Sequence, residues 1–571
     1  MGDGGLGHAD VGDVAHARLA VPVGGDGGEQ AQAHGVAEGL EHLRRDLGLL
    51  GRHGALVQRR AAGRDGVGLQ ERQDLGIRHA SMLTCVEPRR GTLLIRHLSM
   101  LTLIESGAMV ERRASTFVET NEESAVNAPA VTDLPVVVIG AGPAGLAAAA
   151  HLVERGIEPL VLEAGPAAGA AVREWAHVRL FSTWGEVVDP AAEKLLAPTG
   201  WVTPDPATYP SGGDWAELYL QPLADALGDR VRYGSRVTGV SRAGRDRIVD
   251  ADREAQPFVI NYESADGNER RVRARAVIDA SGTWATPGPA GGSGLPALGE
   301  KAAADRIAYR VPDLKDPAVR ARYAGRRTAV IGSGASAFTA LAHLADLSGH
   351  EPGTHSVWIL RRGISGSTFG GGAADRLPAR GALGLAAEAA VDHGHADAVT
   401  GFRTGAVERD GDRVVLVAED GRRLEPVDEV IVLTGLRPDL SFLSELRLGL
   451  DERLQAPMAL APLIDPNQHS CGTVRPHGVQ ELSHPEKDVY LVGMKSYGRS
   501  TAFLAMTGYE QVRSVAASLA GDREAAERVE LTLPETGVCG GAGLFDRPEP
   551  AGASGGGGCC TAPATLTIDA P

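Results

Sequence analysis

The alternation of apolar and polar positions changes rhythm several times along the chain, and each change marks an element. At 136–139 (VVVI) an unbroken apolar run meets a glycine cluster; apolar positions then recur at helical spacing until Gly156, and a second short apolar run closes on Glu163. Short apolar runs bounded by glycine read as strands buried on both faces, so the order is strand, helix, strand. The same rhythm returns in a strand at 327–331, a helix through residue 347 and a strand at 356–360. Between the two units, 209–227 places Trp215, Leu218, Tyr219, Pro222, Leu223 and Leu227 on one helical face, and 230–240 alternates as a single strand. Residues 257–262 and 271–279 are β-rich. Residues 413–432 read as a hairpin turning at Asp420-Gly421, leading into a strand at 429–433; a strand at 488–492 and a helix over 507–519 complete the pattern.

The glycine clusters give these units their chemistry. In Gly140-Ala141-Gly142-Pro143-Ala144-Gly145 the first glycine permits a tight turn, the second lets backbone approach a pyrophosphate, and the third lets helix and strand pack closely. The helix start adds free N–H groups and the positive end of a dipole. Glu163, at the end of the second strand, is positioned to accept from a ribose hydroxyl. The second cluster, Gly332-Ser333-Gly334-Ala335-Ser336-Ala337, sits in the same context, but its second strand ends in Arg361-Arg362. An acid there would repel a 2′-phosphate, whereas guanidinium groups bind one bidentately. The first unit is therefore assigned to FAD and the second to NADPH. Backbone near Val237 is expected beside the adenine, and the loop carrying Ser281 and Gly282 is expected to cross the bound cofactor. The start of the helix near residue 507 is expected to face the flavin's electron-rich edge.

The flanks differ in character. Phe, Trp and Tyr are absent before Phe117, and Lys is absent before Lys194, so the first 130 residues have little with which to build a core. They contain a short repeat, IRHASMLT at 77–84 and IRHLSMLT at 95–102. The reading is an extension that is either disordered or translated upstream sequence, with a native start at Met100 or Met109. A net charge of −16 with no offsetting basic block argues against a nucleic-acid partner, and no apolar run is long enough to span a membrane. A cytoplasmic location, a small-molecule substrate and a homodimer are the accompanying expectations.

On GAGPAG (140–145), GSGASA (332–337), DASGTWATP (279–287), LTGLRP (433–438) and YLVG (490–493), the chain resembles the two-dinucleotide-fold flavoproteins. Among them it is most similar to class B flavin monooxygenases, and it also resembles arsenic-resistance-associated bacterial flavoproteins. The resemblance covers about residues 134–522 and implies an α/β fold of two interleaved Rossmann-like domains, the NADPH domain inserted into the FAD domain. The expected division is 1–130 extension, 131–325 and 433–525 FAD domain, 326–432 NADPH domain, and 526–571 flexible tail. It also implies roles in cofactor contact for Gly435 and Gly493. Two departures stand out: the F-x-G-x-x-x-H signature is replaced by IAYRVPD at 307–313, and the usual Gly-Asp pair is Gly493-Met494.

Disulfide reductases of this architecture need a thiol pair on the flavin, yet no cysteine lies between 132 and 470. The candidates are Cys471, with His477 and His484 nearby, and the tail pair Cys559-Cys560 behind the glycine run 555–558. Vicinal thiols on a flexible tether suit a soft ion or thiol–disulfide exchange. The sequence thus supports an FAD- and NADPH-dependent oxidoreductase, first as a monooxygenase, second as a thiol- or metalloid-linked reductase, and third as a nucleotide-sensing regulator.

Overall fold

A computed structural model of the chain describes residues 130–365, 368–375, 377–467, 474–500 and 503–531, together with the backbone of three strands at 80–118. Cys471, Cys559 and Cys560 fall outside these residues. The chain divides into two units, Met1–Val126 and Asn127–Pro571.

In the first unit, within the stretch read as disordered, β1 (Ala80–Arg89), β2 (Thr92–Glu105) and β3 (Ala108–Val118) form an antiparallel meander. The two copies of the octapeptide pair with each other: Ser81 lies opposite Met100, and Leu83 opposite Leu98.

The second unit is built on two parallel sheets. The first contains β4 (Val136–Ile139), β5 (Pro159–Leu162) and β6 (Val231–Arg232). An antiparallel meander of β7 (Arg236–Arg242), β8 (Phe258–Glu263) and β9 (Glu269–Ala274) follows, and the chain then returns to the sheet as β10 (Ala276–Asp279). The second sheet contains β11 (Ile307–Ala308), β12 (Arg327–Ile331), β13 (His355–Ile359) and β14 (Ala396–Val399). The hairpin β15 (Thr404–Asp410) and β16 (Arg413–Ala418) interrupts it before β17 (Glu429–Val432). Finally β18 (Val489–Leu491) rejoins the first sheet, so the strand orders are β18-β10-β4-β5-β6 and β11-β17-β12-β13-β14. The chain leaves the first sheet, completes the second and comes back, which is the interleaving the resemblance implies. The second sheet draws in Ile307–Ala308, ahead of residue 326 where sequence reading begins that domain.

Helix α1 (Pro143–Glu154) packs on the first sheet through an alanine-rich face, Ala147 to Ala150, buried with Val136, Val138 and Ile278. Small side chains bring helix and sheet close, and Gly156 at φ 70° ends the helix in the left-handed conformation that glycine permits. Helix α2 (Ala335–His350) covers the second sheet with Phe338, Leu341, Leu344 and Leu347. Among the described residues no helix is long and apolar enough to cross a membrane.

Three local expectations need correction. The single strand at 230–240 is two, β6 and β7, because Gly234 at φ 58° turns the chain out of the parallel sheet. The helix near 212–227 contains a π-helical stretch at Ala216–Leu220, which rotates the later face; Tyr219, Leu220 and Leu223 are buried, while Leu218 is 51% exposed. The chain does turn back at Asp420-Gly421, with Val414 and Val427 exchanging backbone hydrogen bonds at 2.9 Å, but that arm ends before 429–432, which joins the parallel sheet, and a further hairpin at Gly411-Asp412 pairs β15 with β16.

Candidate functional site

Both glycine loops sit at the C-terminal ends of central strands, where parallel α/β sheets bind ligands. In the first loop Gly140 adopts φ 99°, and a Cβ there would lie 3.0 Å from the Ala280 carbonyl oxygen. At Gly145 a Cβ would stand 1.9 Å from the Gly140 carbonyl, so only glycine lets α1 start this close to the turn. By contrast, a Cβ at Gly142 would meet nothing within 4 Å. That open side is the one the N–H groups at the start of α1 can present to a phosphate, with Pro143 supplying the first helical position and Ala144 the next.

Glu163 is buried, and its carboxylate is anchored at both oxygens: Oε2 accepts the Ala141 N–H at 2.6 Å and Oε1 the Gly165 N–H at 2.7 Å. The acid therefore braces the loop, and each oxygen retains acceptor capacity for a hydroxyl. Across the loop, β10 delivers Ala280, Ser281 and Gly282, with Gly282 at φ 68° and Ser281 exposed. Gly493, at φ 65°, comes from the end of β18; a Cβ on it would be 2.9 Å from that of Ala144. Its N–H donates to Gln511 Oε1 at 2.8 Å, on helix α3 (Ala505–Leu519). The structure thus brings Gly140–Gly145, Glu163, Ser281, Gly282 and Gly493 together around one cradle. Val237 is half-buried on the meander opposite Tyr262, two residues beyond Ser235, whose N–H donates to the Glu163 carbonyl at 2.7 Å.

One member of this site escaped sequence reading. Lys495 is fully buried, its Nζ 2.6 Å from Asp279 Oδ2 and donating to Ser281 Oγ at 2.9 Å, with the Phe442 ring centroid 4.4 Å away. Asp279 Oδ1 also accepts the Ser281 N–H at 3.0 Å. This ion pair fixes the crossing loop from behind, while Ser281 faces outward.

Beneath the cradle, His477 donates from Nδ1 to the Arg475 carbonyl at 3.0 Å, which leaves Nε2 to accept from Gln511 at 2.8 Å. Burial holds His477 below the usual imidazole range and lowers His484 to about 4. Both serve as packed, neutral residues here.

In the second loop Gly332 adopts φ 140°, and a Cβ would be 2.3 Å from the Leu433 carbonyl oxygen. Gly334 caps α2 with nothing within 4 Å of an added Cβ; Ser336 is exposed, and Ala337 is buried beneath. Arg361 is exposed and donates to the Gly292 carbonyl at 3.3 Å, with Arg362 beside it, half-buried. Gly435, at φ 95°, accepts the Gly288 N–H at 2.7 Å and ties the return crossing to the outgoing one. Two further cations join this edge. Arg437 is half-buried, and burial followed by the charges of Arg499 and Arg361 holds its guanidinium below the ordinary value. Arg361, Arg437 and Arg499, from distant parts of the chain, are thus near enough for their charges to be felt by one another, and a phosphate-rich ligand would relieve that repulsion.

Both cradles fit dinucleotides on geometry alone: side chains are excluded where backbone must come close, and the helix starts are open. A family model described as pyridine nucleotide-disulphide oxidoreductase matches residues 137–470. Digeranylgeranylglycerophospholipid reductase 1 of Methanothermobacter thermautotrophicus is 29% identical over 163 residues, which cover 25% of this chain. The chain spans 41% of the length of that curated relative. Among solved structures, the bacillithiol disulfide reductase of Bacillus cereus aligns at 20% identity and a TM-score of 0.48, covering 68% of this chain and 99% of its own. A flavin monooxygenase mutant from Stenotrophomonas maltophilia aligns at 22% and 0.45, covering 68% and 98%.

Proposed function

Because the chain belongs to the pyridine nucleotide-disulphide oxidoreductase family, whose model matches more than half of it, we propose that it is a flavin monooxygenase-like enzyme acting on a small molecule. As a member of that family it is an FAD- and NADPH-dependent oxidoreductase. The assignment of cofactors to loops is ours: FAD at Gly140–Gly145 and Glu163, NADPH at Gly332–Ala337 with Arg361 and Arg362. Held by the first loop, a flavin would supply the two-electron redox chemistry, with the nicotinamide held by the second loop as hydride source.

The chain's own contribution is positional. Backbone N–H groups at the starts of α1 and α2 take phosphate charge, Glu163 holds the first loop in shape while offering acceptors to a ribose, and the arginine edge discriminates for a 2′-phosphate. Lys495 keeps Ser281 and the crossing loop in place.

One observation favours oxygenation over disulfide reduction: the family-matched span contains no cysteine, so no thiol pair within it can receive electrons. A reductase working through Cys559 and Cys560 is the competing account, and a metalloid is a candidate substrate for either. An oxygen electrode distinguishes them. With NADPH and a panel that includes arsenite and methylated arsenicals, the proposal predicts O2 consumption in step with loss of one substrate, unchanged by Cys559→Ser/Cys560→Ser. Turnover that persists without O2 and disappears in that double variant would overturn it.

A further inference from the structure

Beside the crossing loop, residues 173–177 and 308–323 enclose a cleft of about 360 Å³, a size suited to a small organic molecule. Its lining includes three arginines, two of which are already committed. Arg173 pairs with Glu217 and donates to the Ala168 carbonyl at 2.9 Å, and Arg322 pairs with Glu429. Arg310 differs. Its guanidinium lies over the Trp284 ring, 3.9 Å from the centroid, and donates to two neutral carbonyls, that of Tyr309 at 2.9 Å and that of Trp284. Among the described residues no carboxylate comes within 4.0 Å of it. The platform beneath is fixed too, because the Trp284 indole N–H donates to Glu174 Oε2 at 2.7 Å.

A guanidinium clamped flat on an indole retains N–H donors in its plane, the geometry that meets a carboxylate or oxyanion bidentately. A half-buried cation that donates only to neutral carbonyls, with Glu174 beyond ion-pair distance as its charge partner, is incompletely compensated, so an incoming anion is favoured at that spot. The cleft's own acids do not fill the role: Glu174 is held by the indole, and Asp313 accepts the Lys315 N–H at 3.0 Å. His177, whose Nε2 donates to the Val311 carbonyl at 3.1 Å, lines the same cleft, and Pro312, Val319 and Tyr323 give it an apolar part.

We infer that this cleft binds a small organic anion, an apolar body bearing one carboxylate or oxyanion, and that Arg310 takes the charged group. The inference rests on the proposed function, since it makes that anion the substrate. The same chemistry could come from a phosphate of the nicotinamide dinucleotide, and the test separates the two.

The FAD-loaded full chain is titrated calorimetrically with benzoate, with neutral benzamide and with NADP+, as wild type, Arg310→Lys and Arg310→Gln. Benzoate binding at least roughly tenfold tighter than benzamide, lost by roughly tenfold in Arg310→Gln and partly kept in Arg310→Lys, with NADP+ affinity within about twofold of wild type, is the expected result. Benzoate binding no tighter than benzamide overturns the inference. So does a loss of NADP+ affinity in Arg310→Gln with benzoate unaffected, which would assign the guanidinium to the dinucleotide. Should Arg310→Gln fail to hold FAD, the wild-type comparison of benzoate with benzamide, and its dependence on added NADP+, still decides. Flavin bleaching by NADPH in the same samples reads the proposed function separately: bleaching without benzoate binding sinks only the inference, and absence of bleaching sinks the function.

Discussion

Replacing Lys495 by Met tests the buried ion pair with little disturbance of packing, because the two side chains are of similar length and the cavity term is small. Lys495 and Asp279 are both 0% exposed and 2.6 Å apart, so the substitution leaves a carboxylate in the interior with the Ser281 N–H as its remaining close donor. Removing one partner of a buried pair costs about 3–5 kcal/mol, whereas replacing both is often close to neutral. Lys495→Met should therefore lower the stability of the FAD-loaded protein by about 3 kcal/mol or more, and Asp279→Asn/Lys495→Met should recover at least about half of that loss. Because the ammonium also holds Ser281 Oγ, FAD affinity should fall with the single substitution and return in part with the double. Urea unfolding followed by flavin fluorescence, with FAD dissociation measured in parallel, gives both quantities. A single variant that loses less than about 1 kcal/mol, or a double variant as impaired as the two singles added together, would refute the reasoning.

Further consequences follow from the glycine cradle and the buried imidazoles. Gly145→Ala places a methyl 1.9 Å from the Gly140 carbonyl, so the purified variant should be colourless or lose FAD on gel filtration; retention of wild-type flavin content would contradict the cradle. Gly332→Ala, at φ 140° and 2.3 Å from the Leu433 carbonyl, should weaken NADP+ binding while leaving FAD bound, as read by titration of the yellow protein. His484 has a folded-state pKa lowered from 6.5 to about 4, so the unfolded chain takes up its proton first as pH falls. Its stabilising share is present above pH 6.5 and is lost as pH falls towards 4, by up to about 3 kcal/mol. Thermal melts from pH 7.5 to 4.5 should show this fall, and His484→Leu should flatten it; an unchanged pH dependence would exclude His484 as its source.

The dinucleotide loops were legible because their signal is local: strand, glycine spacing, helix and terminal residue all lie within about one βαβ unit, of roughly 30 residues. Glu163 was found this way, although its role as a brace for Ala141 and Gly165 came only from the fold. Lys495 was not legible, since a lysine in Gly493-Met494-Lys495-Ser496 looks like a surface charge, and its partners Asp279 and Ser281 lie more than 200 residues away. The meeting of Arg361, Arg437 and Arg499 was hidden for the same reason. The turn at Asp420-Gly421 was legible from its dipeptide, whereas the β15–β16 hairpin was missed although Asp410-Gly411 carries the same signal; both are used, because β16 has an antiparallel partner on each side. At Leu218 a π-helical stretch broke the periodicity on which the prediction relied.

The measurement that bears most directly on the central claim is anaerobic stopped-flow reduction of the bound flavin, comparing NADPH with NADH in wild type and in Arg361→Ala/Arg362→Ala. The account predicts that NADPH bleaches the flavin at least roughly tenfold faster than NADH at subsaturating concentration, and that the double variant loses most of this preference while keeping FAD. Equal rates with the two nucleotides in wild type, or a preference for NADPH that survives loss of both arginines, would contradict it.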